Sequence, residues 1–359
     1  MRVYNFSAGP ATLPLPVLDE AQRQLVEHGA SGMSVMEMSH RSPAYDEIHT
    51  EALASLRRLL GVPEGYHVLL LQGGASLQFS MAPMNLMHPN GRADYVVTGS
   101  WSKKALKEAQ RVGEARVAAS TAEEGFARLP TADELDFDPD ADFVHLTSNN
   151  TITGTQWHEL PETGGVPLVV DASSDVLCRP VDVSRYGLIY AGAQKNLGPA
   201  GVTVVVVRED LAERAPDTLP TMLQYRVHAA KDSLYNTPPT WAIYVLGLCC
   251  RWLEGQGGTE VVGEANQRKA EALYDAIDGS GGFYRGTVVP ADRSWMNVPF
   301  RLPEEALEQR FLAEAAEAGL VNLKGHRSVG GIRASIYNAM PAEGVVALIQ
   351  FMQEFQRTA

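Results

Sequence analysis

Cysteine is scarce in this sequence. Only Cys178, Cys249 and Cys250 occur in 359 residues. Three thiols cannot all pair within one chain, so we expect reduced cysteines and a cytoplasmic protein. Since no cluster of cysteine and histidine has the spacing of zinc ligands, we predict no metal site.

Long hydrophobic runs are also missing. The longest apolar segments, such as residues 241–250, have about half of the roughly 20 residues that span a bilayer. The residues from Met1 to Pro10 lack the apolar stretch of a secretory signal. We therefore expect no membrane segment and no cleaved leader.

Positive charge is in deficit, because 30 lysine and arginine residues stand against 43 acidic ones, and the formal net charge is −13. A chain with this balance has no overall positive field for phosphate backbones or anionic lipid, so we expect no nucleic-acid partner. The 45% hydrophobic content is typical of a globular protein, and the length suggests two domains.

Short apolar runs separated by helical stretches predict an α/β fold, with a mostly parallel sheet that helices cover on both faces. Ser42 and Pro43 at one end and Gly61 at the other predict the limits of one helix, and a second helix is expected to start near Pro238. The apolar runs lie at residues 67–71, 95–97, 143–146, 168–170, 188–191 and 202–207.

Later in the chain the pattern changes to long helical stretches with a few strand-like pieces, at residues 296–300 and 332–336. We predict a large domain over residues 14–255 and a smaller α+β domain over residues 256–359, to which the N-terminal segment 1–13 also belongs. Because ligands of α/β sheets bind at the carboxyl ends of the strands, the chemistry should lie in the loops after the apolar runs.

A lysine in a loop of small residues is the first candidate for chemistry. Lys195 lies among alanine, glycine and proline, where a desolvated amine can lose its proton and act as a nucleophile. Asp171 directly follows the run 168–170, and a carboxylate there could keep the ring nitrogen of pyridoxal phosphate protonated. Taken separately, the lysine could equally be a solvated surface residue and the aspartate a turn former.

The segment 72–78 supplies a candidate phosphate site. Its Gly-Gly-Ala-Ser stretch, which contains Ala75 and Ser76, connects an apolar run to a helical stretch, and backbone amides at a helix start favour a phosphate. The stretch matches neither the dinucleotide-binding fingerprint nor the P-loop. Trp101, after the next apolar run, could stack on a flat ring, although a tryptophan there could equally belong to the core.

Together these motifs resemble the phosphoserine aminotransferases, a fold-type I pyridoxal phosphate family among the class-V aminotransferases. The resemblance covers nearly the whole chain. It implies ping-pong amino transfer from L-glutamate to 3-phosphohydroxypyruvate in serine biosynthesis, and it leaves open a related substrate of pyridoxine biosynthesis. The matching segments are residues 5–10, 38–42, 73–79, 147–152, 191–201, 232–239 and 324–338.

The resemblance implies cofactor roles for residues of this chain. Lys195 would form the Schiff base with pyridoxal 5′-phosphate, Asp171 would contact the pyridine nitrogen, and Trp101 would stack on the ring. The other contacts to the cofactor and its phosphate are expected at Ala75, Ser76, Thr151 and Gln194.

A homodimer is implied as well, because Asn236 and Thr237 are expected to reach the cofactor phosphate of the neighbouring subunit. The phosphate loop departs from many relatives, which carry an arginine or threonine there, since this chain has the short Ser76. Neutralisation of the cofactor phosphate should therefore rely more on backbone amides and on the partner subunit.

Both implied substrates are anions, which a chain of net charge −13 must attract by local contacts. Arg333 is expected to bind the α-carboxylate that both substrates share, because a guanidinium binds a carboxylate through two parallel hydrogen bonds. Arg226 is a further candidate donor. The pocket for the distal carboxylate or phosphate is assigned to His40, Arg41, His326 and Arg327.

Two other interpretations stay open. The chain could be another fold-type I aminotransferase of small anionic keto acids, or a non-catalytic protein that keeps the fold as a cofactor-binding module. A cysteine desulfurase would need a reactive cysteine in a loop, whereas Cys249 and Cys250 lie in a predicted helix.

Overall fold

The computed structural model describes residues 2–359. None of the helices in that range combines the length and the hydropathy needed to cross a bilayer.

The strands are β1 (Tyr4–Asn5), β2 (Tyr66–Leu71), β3 (Arg92–Val97), β4 (Glu114–Ser120), β5 (Phe143–Thr147), β6 (Leu168–Asp171), β7 (Leu188–Gly192), β8 (Thr203–Arg208), β9 (Arg285–Gly286), β10 (Asn297–Arg301), β11 (Leu320–Val321) and β12 (Ile332–Ser335). The helices are α1 (Leu15–Arg23), α2 (Pro43–Leu60), α3 (Gly74–Leu86), α4 (Ser100–Ala109), α5 (Glu209–Ala212), α6 (Tyr225–Ala229), α7 (Thr240–Gly255), α8 (Gly258–Asp278), α9 (Glu305–Glu317) and α10 (Ala342–Thr358).

The central sheet has seven strands in the order β2-β8-β7-β6-β5-β3-β4. Neighbours from β7 to β4 pair in parallel, whereas β8 is antiparallel to both β7 and β2. Strand β2 therefore runs in the same direction as β7, and β2, β3, β5, β6 and β7 all end at one edge of the sheet. This is the mostly parallel sheet that the sequence predicts.

Helices cover both faces of this sheet because its strands are apolar on both sides. In β8, Val204 and Val206 pack into one hydrophobic core, and Val205 and Val207 pack into another, since successive side chains point to opposite faces. The first core contains residues of α2 and α7, and the second contains residues of α3 and α4. The predicted fold class is confirmed.

The ends of α2 follow the predicted signals. Ser42 Oγ accepts a hydrogen bond from the Tyr45 amide at 3.4 Å, which satisfies a donor of the first turn. Pro43 lies in that turn, where its missing N–H costs no hydrogen bond. Gly61 ends the helix in the left-handed conformation, with φ 61°.

The sequence pattern does not predict β4. Its segment Glu114–Ser120 contains three alanines, a residue type that is depleted in strands. The strand lies at the edge of the sheet and pairs with β3 alone. Tertiary pairing, and not local propensity, therefore makes this segment a strand.

The remaining strands form separate layers. Strands β12, β10 and β9 make a three-stranded antiparallel sheet, and the N-terminal β1 pairs with β11. Residues of α8, α9 and α10 pack with them in a core of their own, which also contains Phe6. This separate core supports the division into a domain of residues 14–255 and a second one of residues 256–359 with segment 1–13, which remains a proposal.

Candidate active site

A cavity of about 380 Å³ lies at the sheet edge where β2, β3, β5, β6 and β7 end. Polar and aromatic side chains from the ends of these strands and the loops after them form most of its wall. Residues in and before β12, together with Ala8 and Gly9 of the N-terminal segment, complete it. The predicted site residues that line it are Ala75, Ser76, Trp101, Thr151, Asp171, Gln194, Lys195, His326 and Arg333.

Lys195 follows β7, and its amine donates a hydrogen bond to Thr151 Oγ1 at 2.9 Å. Burial lowers the pKa of Lys195 to about 8, although the nearby Asp171 carboxylate opposes this shift. A share of the amine is therefore neutral near neutral pH, which is the form that a nucleophile or a general base needs.

Asp171 is the last residue of β6 and is only 4% exposed. Its Oδ1 accepts hydrogen bonds from the Ser173 amide at 3.0 Å and the Ser173 hydroxyl at 2.6 Å. Burial raises the pKa of this carboxyl, while the charge of Lys195 and the bonds from Ser173 lower it. Because both of these bonds go to Oδ1, the other oxygen remains available to a cationic group of a ligand.

The start of α3 is the phosphate candidate. Gly73 and Gly74 have φ of 90° and 65°, a conformation that turns the chain from β2 into the helix. A Cβ at Gly73 would also collide with Leu77 Cδ2, at 2.6 Å. No side chain among the described residues caps this helix, so the N–H groups of Gly74, Ala75 and Ser76 are free to bind an anion.

Trp101, in the first turn of α4, forms an aromatic wall of the cavity. Its ring centroid lies 5.8 Å from Lys195 Nζ and 4.3 Å from Lys104 Nζ. The indole Nε1 is buried and has no hydrogen-bond partner within residues 2–359. An aromatic face beside a reactive amine suits a ligand with a flat ring.

Arg333 brings positive charge to the cavity, and both Arg333 and His326 bring hydrogen-bonding groups. Arg333 lies in β12, and its Nη1 donates to the Thr151 carbonyl at 3.2 Å. Its Nε is buried without a partner in the described part of the chain, which leaves a donor for an anion. Burial and the charge of Arg333 lower the pKa of His326, whose Nδ1 lies 2.7 Å from Ser328 Oγ.

Five predicted site residues do not line the cavity of their own chain: His40, Arg41, Asn236, Thr237 and Arg327. Arg41, Thr237 and Arg327 are exposed. The buried atoms His40 Nε2 and Asn236 Oδ1 have no partner among the residues that the structure describes. Asn236 Nδ2 donates to Gln72 Oε1 at 3.2 Å, close to the start of α3.

Arg226, the further candidate donor, does not line the cavity either. Its Nη2 pairs with Asp217 at 2.6 Å, and its Nε donates to Gln224 at 2.9 Å. These contacts occupy the guanidinium outside the cavity.

Two further residues of the cavity wall, Ser173 and Gly9, are not predicted from the sequence. Besides its bonds to Asp171, Ser173 Oγ accepts a hydrogen bond from the Gly192 amide at 3.1 Å, so it joins the ends of β6 and β7. A serine directly after a candidate aspartate is a local signal that could have identified it. Gly9 has no such signal, because its contact is distant in sequence: a Cβ there would lie 3.4 Å from Lys195 Cγ.

The lowered pKa of Lys195 predicts unusual reactivity in the cofactor-free protein. Only a neutral amine reacts with an acylating reagent, so labelling of Lys195 should rise through a midpoint near pH 8, against 10.5 for an ordinary lysine. Peptide mass spectrometry after short labelling at several pH values measures the labelled fraction of Lys195. In Asp171→Asn the midpoint should fall further, because the carboxylate that favours the ammonium is gone. A midpoint above pH 10 in both proteins would contradict the burial argument.

Comparisons with known proteins bear on the family to which the chain belongs. The profile of the aminotransferase class-V family matches residues 3–348. A phosphoserine aminotransferase of Geobacillus kaustophilus (strain HTA426) is 59% identical over 356 residues, which are 99% of each chain. The solved phosphoserine aminotransferase from Bacillus circulans subsp. alkalophilus has a TM-score of 0.98 and 54% identity, with 99% of each chain covered. A PLP-bound phosphoserine aminotransferase from Trichomonas vaginalis has a TM-score of 0.94 and 39% identity, with 98% of this chain and 100% of that one covered. The chain therefore belongs to the phosphoserine aminotransferase family of the class-V aminotransferases.

Proposed function

We propose that the protein transfers the amino group of L-glutamate to 3-phosphohydroxypyruvate, which yields O-phospho-L-serine and 2-oxoglutarate. The observation that carries this proposal is a single cavity that combines a lysine of lowered pKa, a buried carboxylate, a free helix start and an arginine. The reaction is a step of serine biosynthesis.

Pyridoxal 5′-phosphate is the cofactor of this family, and the cavity residues fit it. The free N–H groups at the start of α3 match its phosphate, the Trp101 ring matches its ring, and the open oxygen of Asp171 matches its pyridine nitrogen. When bound, the cofactor accepts the electrons of the broken bond at the substrate α-carbon. Lys195 would hold its aldehyde carbon, and Thr151 and Gln194 would add polar contacts.

Lys195 is proposed to move the proton at the substrate α-carbon. Its neutral amine would act as the general base for that proton. Its hydrogen bond to Thr151 Oγ1 restrains its position, and its pKa of about 8 keeps a share of it unprotonated. Since the same lysine serves glutamate and then phosphohydroxypyruvate, ping-pong kinetics are expected.

Arg333 is proposed to bind the α-carboxylate of both substrates. Its Nη1 is fixed on the Thr151 carbonyl, and its buried Nε has no partner within residues 2–359. An incoming carboxylate would satisfy that donor and form a charge-assisted hydrogen bond. The contact with Thr151 therefore sets the substrate's position relative to Lys195, which bonds to the same threonine.

The distal carboxylate or phosphate is proposed to bind near His326. This histidine lines the cavity, whereas Arg327 beside it is exposed on the same loop. The net charge of −13 repels anions at long range, so local groups such as the Arg327 guanidinium and the His326 ring must provide the attraction. We propose that His40 and Arg41 contribute to this pocket from a second copy of the chain.

We also propose a homodimer in which Asn236 and Thr237 reach the phosphate site of the partner. The contact between Asn236 and Gln72 supports this, because Gln72 precedes the start of α3. A two-fold axis near this contact would bring the equivalent segment of the second copy to the same helix start. Exposed apolar side chains elsewhere also support association: Leu25, Val26, Met33, Met36 and Tyr235.

Hybrid dimers test this arrangement. We expect a hybrid of one Lys195→Ala subunit and one Asn236→Ala subunit, isolated with two affinity tags, to recover about half of the wild-type activity, since one of its two sites has both side chains intact. Each homodimeric variant should be far less active. A hybrid of Lys195→Ala with Arg333→Ala is the control and should show no recovery, because both residues serve the cavity of their own chain. Absence of recovery in the first hybrid as well would exclude Asn236 acting across the interface.

A cytoplasmic location is proposed from the thiols. Cys178, Cys249 and Cys250 are all free and buried. Burial raises the pKa of each thiol, so none of them is prepared for disulfide exchange.

A survey of amino acids and keto acids decides between this function and the alternatives. Glutamate should discharge the visible absorption of the cofactor-loaded protein, and phosphohydroxypyruvate should restore it faster than pyruvate or oxaloacetate. Preference for an unphosphorylated keto acid would favour another aminotransferase of the same fold. No response to any amino acid would favour a non-catalytic module.

A further inference from the structure

A second cavity, of about 820 Å³, lies outside the active site. Its walls come from the N-terminal segment, the start of α1, the end of α7, α8 and the start of α10, and we call it the α8–α10 groove. Three large apolar side chains in its wall are exposed: Val3 by 49%, Leu15 by 53% and Val346 by 50%. A concave surface that keeps several apolar side chains in contact with water is typical of a ligand site.

The charge of the α8–α10 groove is opposite to that of the whole protein. None of the residues that line it is acidic, whereas Arg2, Arg268 and Lys269 are basic. The full chain has 43 acidic and 30 basic residues, so an acid-free wall of this size is unusual for it. Arg268 also pairs with Glu264 at 3.4 Å, but both partners are well exposed and the pair is weak.

Lys269 is a buried amine without a counter-charge. It is 7% exposed, and its amine donates to the carbonyls of Ile336 at 3.2 Å, Tyr337 at 2.9 Å and Met340 at 3.0 Å. No carboxylate within residues 2–359 forms an ion pair with it, and burial lowers its pKa to about 7. An anion in the groove would favour the charged form of this amine, because an uncompensated buried ammonium is costly.

Two helices begin at the same groove. Helix α10 starts after Pro341 and α1 starts after Pro14, and neither has a capping hydrogen bond from a side chain of the described residues. The first turn of α10 therefore offers the free N–H groups of Ala342 and Glu343 and the positive end of the helix dipole, and the acidic side chain of Glu343 in this turn is exposed and does not line the groove. This is a second, independent source of attraction for an anion.

We propose that the α8–α10 groove binds a small amphipathic organic anion, whose apolar body packs on the exposed valine and leucine side chains and whose carboxylate lies at the start of α10 beside Lys269. The three N–H groups of Lys269 are occupied by carbonyls, so this residue contributes charge and the α10 amides contribute hydrogen bonds. A neutral ligand would gain the apolar contact alone, and a cationic one would be repelled.

Titration calorimetry with decanoate, on the cofactor-loaded protein, tests the proposal. We expect saturable binding of one decanoate per chain, and binding weaker by about tenfold or more for 1-decanol and for decylammonium, which lack the negative charge. Val346→Asp should weaken decanoate binding by at least about tenfold, because it places a like charge on the apolar wall. Val261→Asp is the matched control and should have no effect, since Val261 is equally exposed, at 50%, on α8 but does not line the groove.

A further variant separates this groove from the active site. Arg333→Ala removes the expected carboxylate contact of the active-site cavity and should leave decanoate binding unchanged. Loss of binding in Arg333→Ala, equal affinities for decanoate and 1-decanol, equal effects of the two valine variants, or no saturable binding at all would each overturn the proposal. Circular dichroism of the valine variants verifies that they fold.

Discussion

Lys195→Ala is expected to abolish amino transfer while leaving the fold intact. The side chain supplies both the attachment for the cofactor and the proposed base, and loss of a general base alone lowers rates by on the order of 10²- to 10⁴-fold. We therefore expect kcat to fall by about 10³-fold or more for glutamate. The fold should survive, because the amine makes one hydrogen bond, to Thr151, and the neighbouring Ala193 and Leu197 keep their packing in the core. Stopped-flow absorption of the glutamate half-reaction measures the rate.

Lys107→Ala serves as the control for this experiment. Lys107 is exposed on α4 and lies outside the cavity, so its removal should change neither rate nor stability. Full transamination by Lys195→Ala would show that another group provides the base, and the assignment of Lys195 would then be wrong.

Arg333→Ala is expected to lower kcat/KM for both substrates together. Two charge-assisted hydrogen bonds to a carboxylate contribute about 3 kcal/mol, which corresponds to about 10²-fold in kcat/KM. The loss should be similar for glutamate and for phosphohydroxypyruvate, because both carry the α-carboxylate. Steady-state kinetics with each substrate varied in turn measure the two values.

Arg333→Lys and Arg327→Ala test the division between the two anion sites. Lysine keeps the charge at position 333 but lacks the planar fork, so it should recover only part of the lost kcat/KM. Arg327→Ala should affect phosphohydroxypyruvate more than glutamate, since a doubly charged phosphate gains more from each nearby cation. Equal losses of kcat/KM for both substrates in Arg327→Ala would contradict a role of Arg327 in binding the distal group.

The sheet was predictable from the sequence because its strands are buried on both faces. An uninterrupted apolar run is distinctive, as in β8, whose valines alternate between two cores. The positions of Asp171 and Lys195 followed from the rule that ligands lie at the carboxyl ends of strands. Strand β4 could not be predicted, because its alanines carry no strand signal and its pairing with β3 decides its conformation.

The contacts within the site could not be read from local spacing. Thr151 Oγ1 meets Lys195 and the Thr151 carbonyl meets Arg333, although these residues are far apart in the chain. The family resemblance assigned Asn236 and Thr237 to the site of the neighbouring subunit, but it did not separate His40 and Arg41 from the residues of one chain's cavity. His40 and Asn236 lie outside the cavity of their own chain, and a single sequence has no signal that separates such residues from Arg333.

The N-terminal segment has a double role that bears on how the protein is handled. Strand β1 pairs with β11, and a few residues later Ala8 and Gly9 form part of the active-site wall, with Gly9 against Lys195. Proteolytic trimming of this segment would remove the β1–β11 pairing and part of the cavity wall at once.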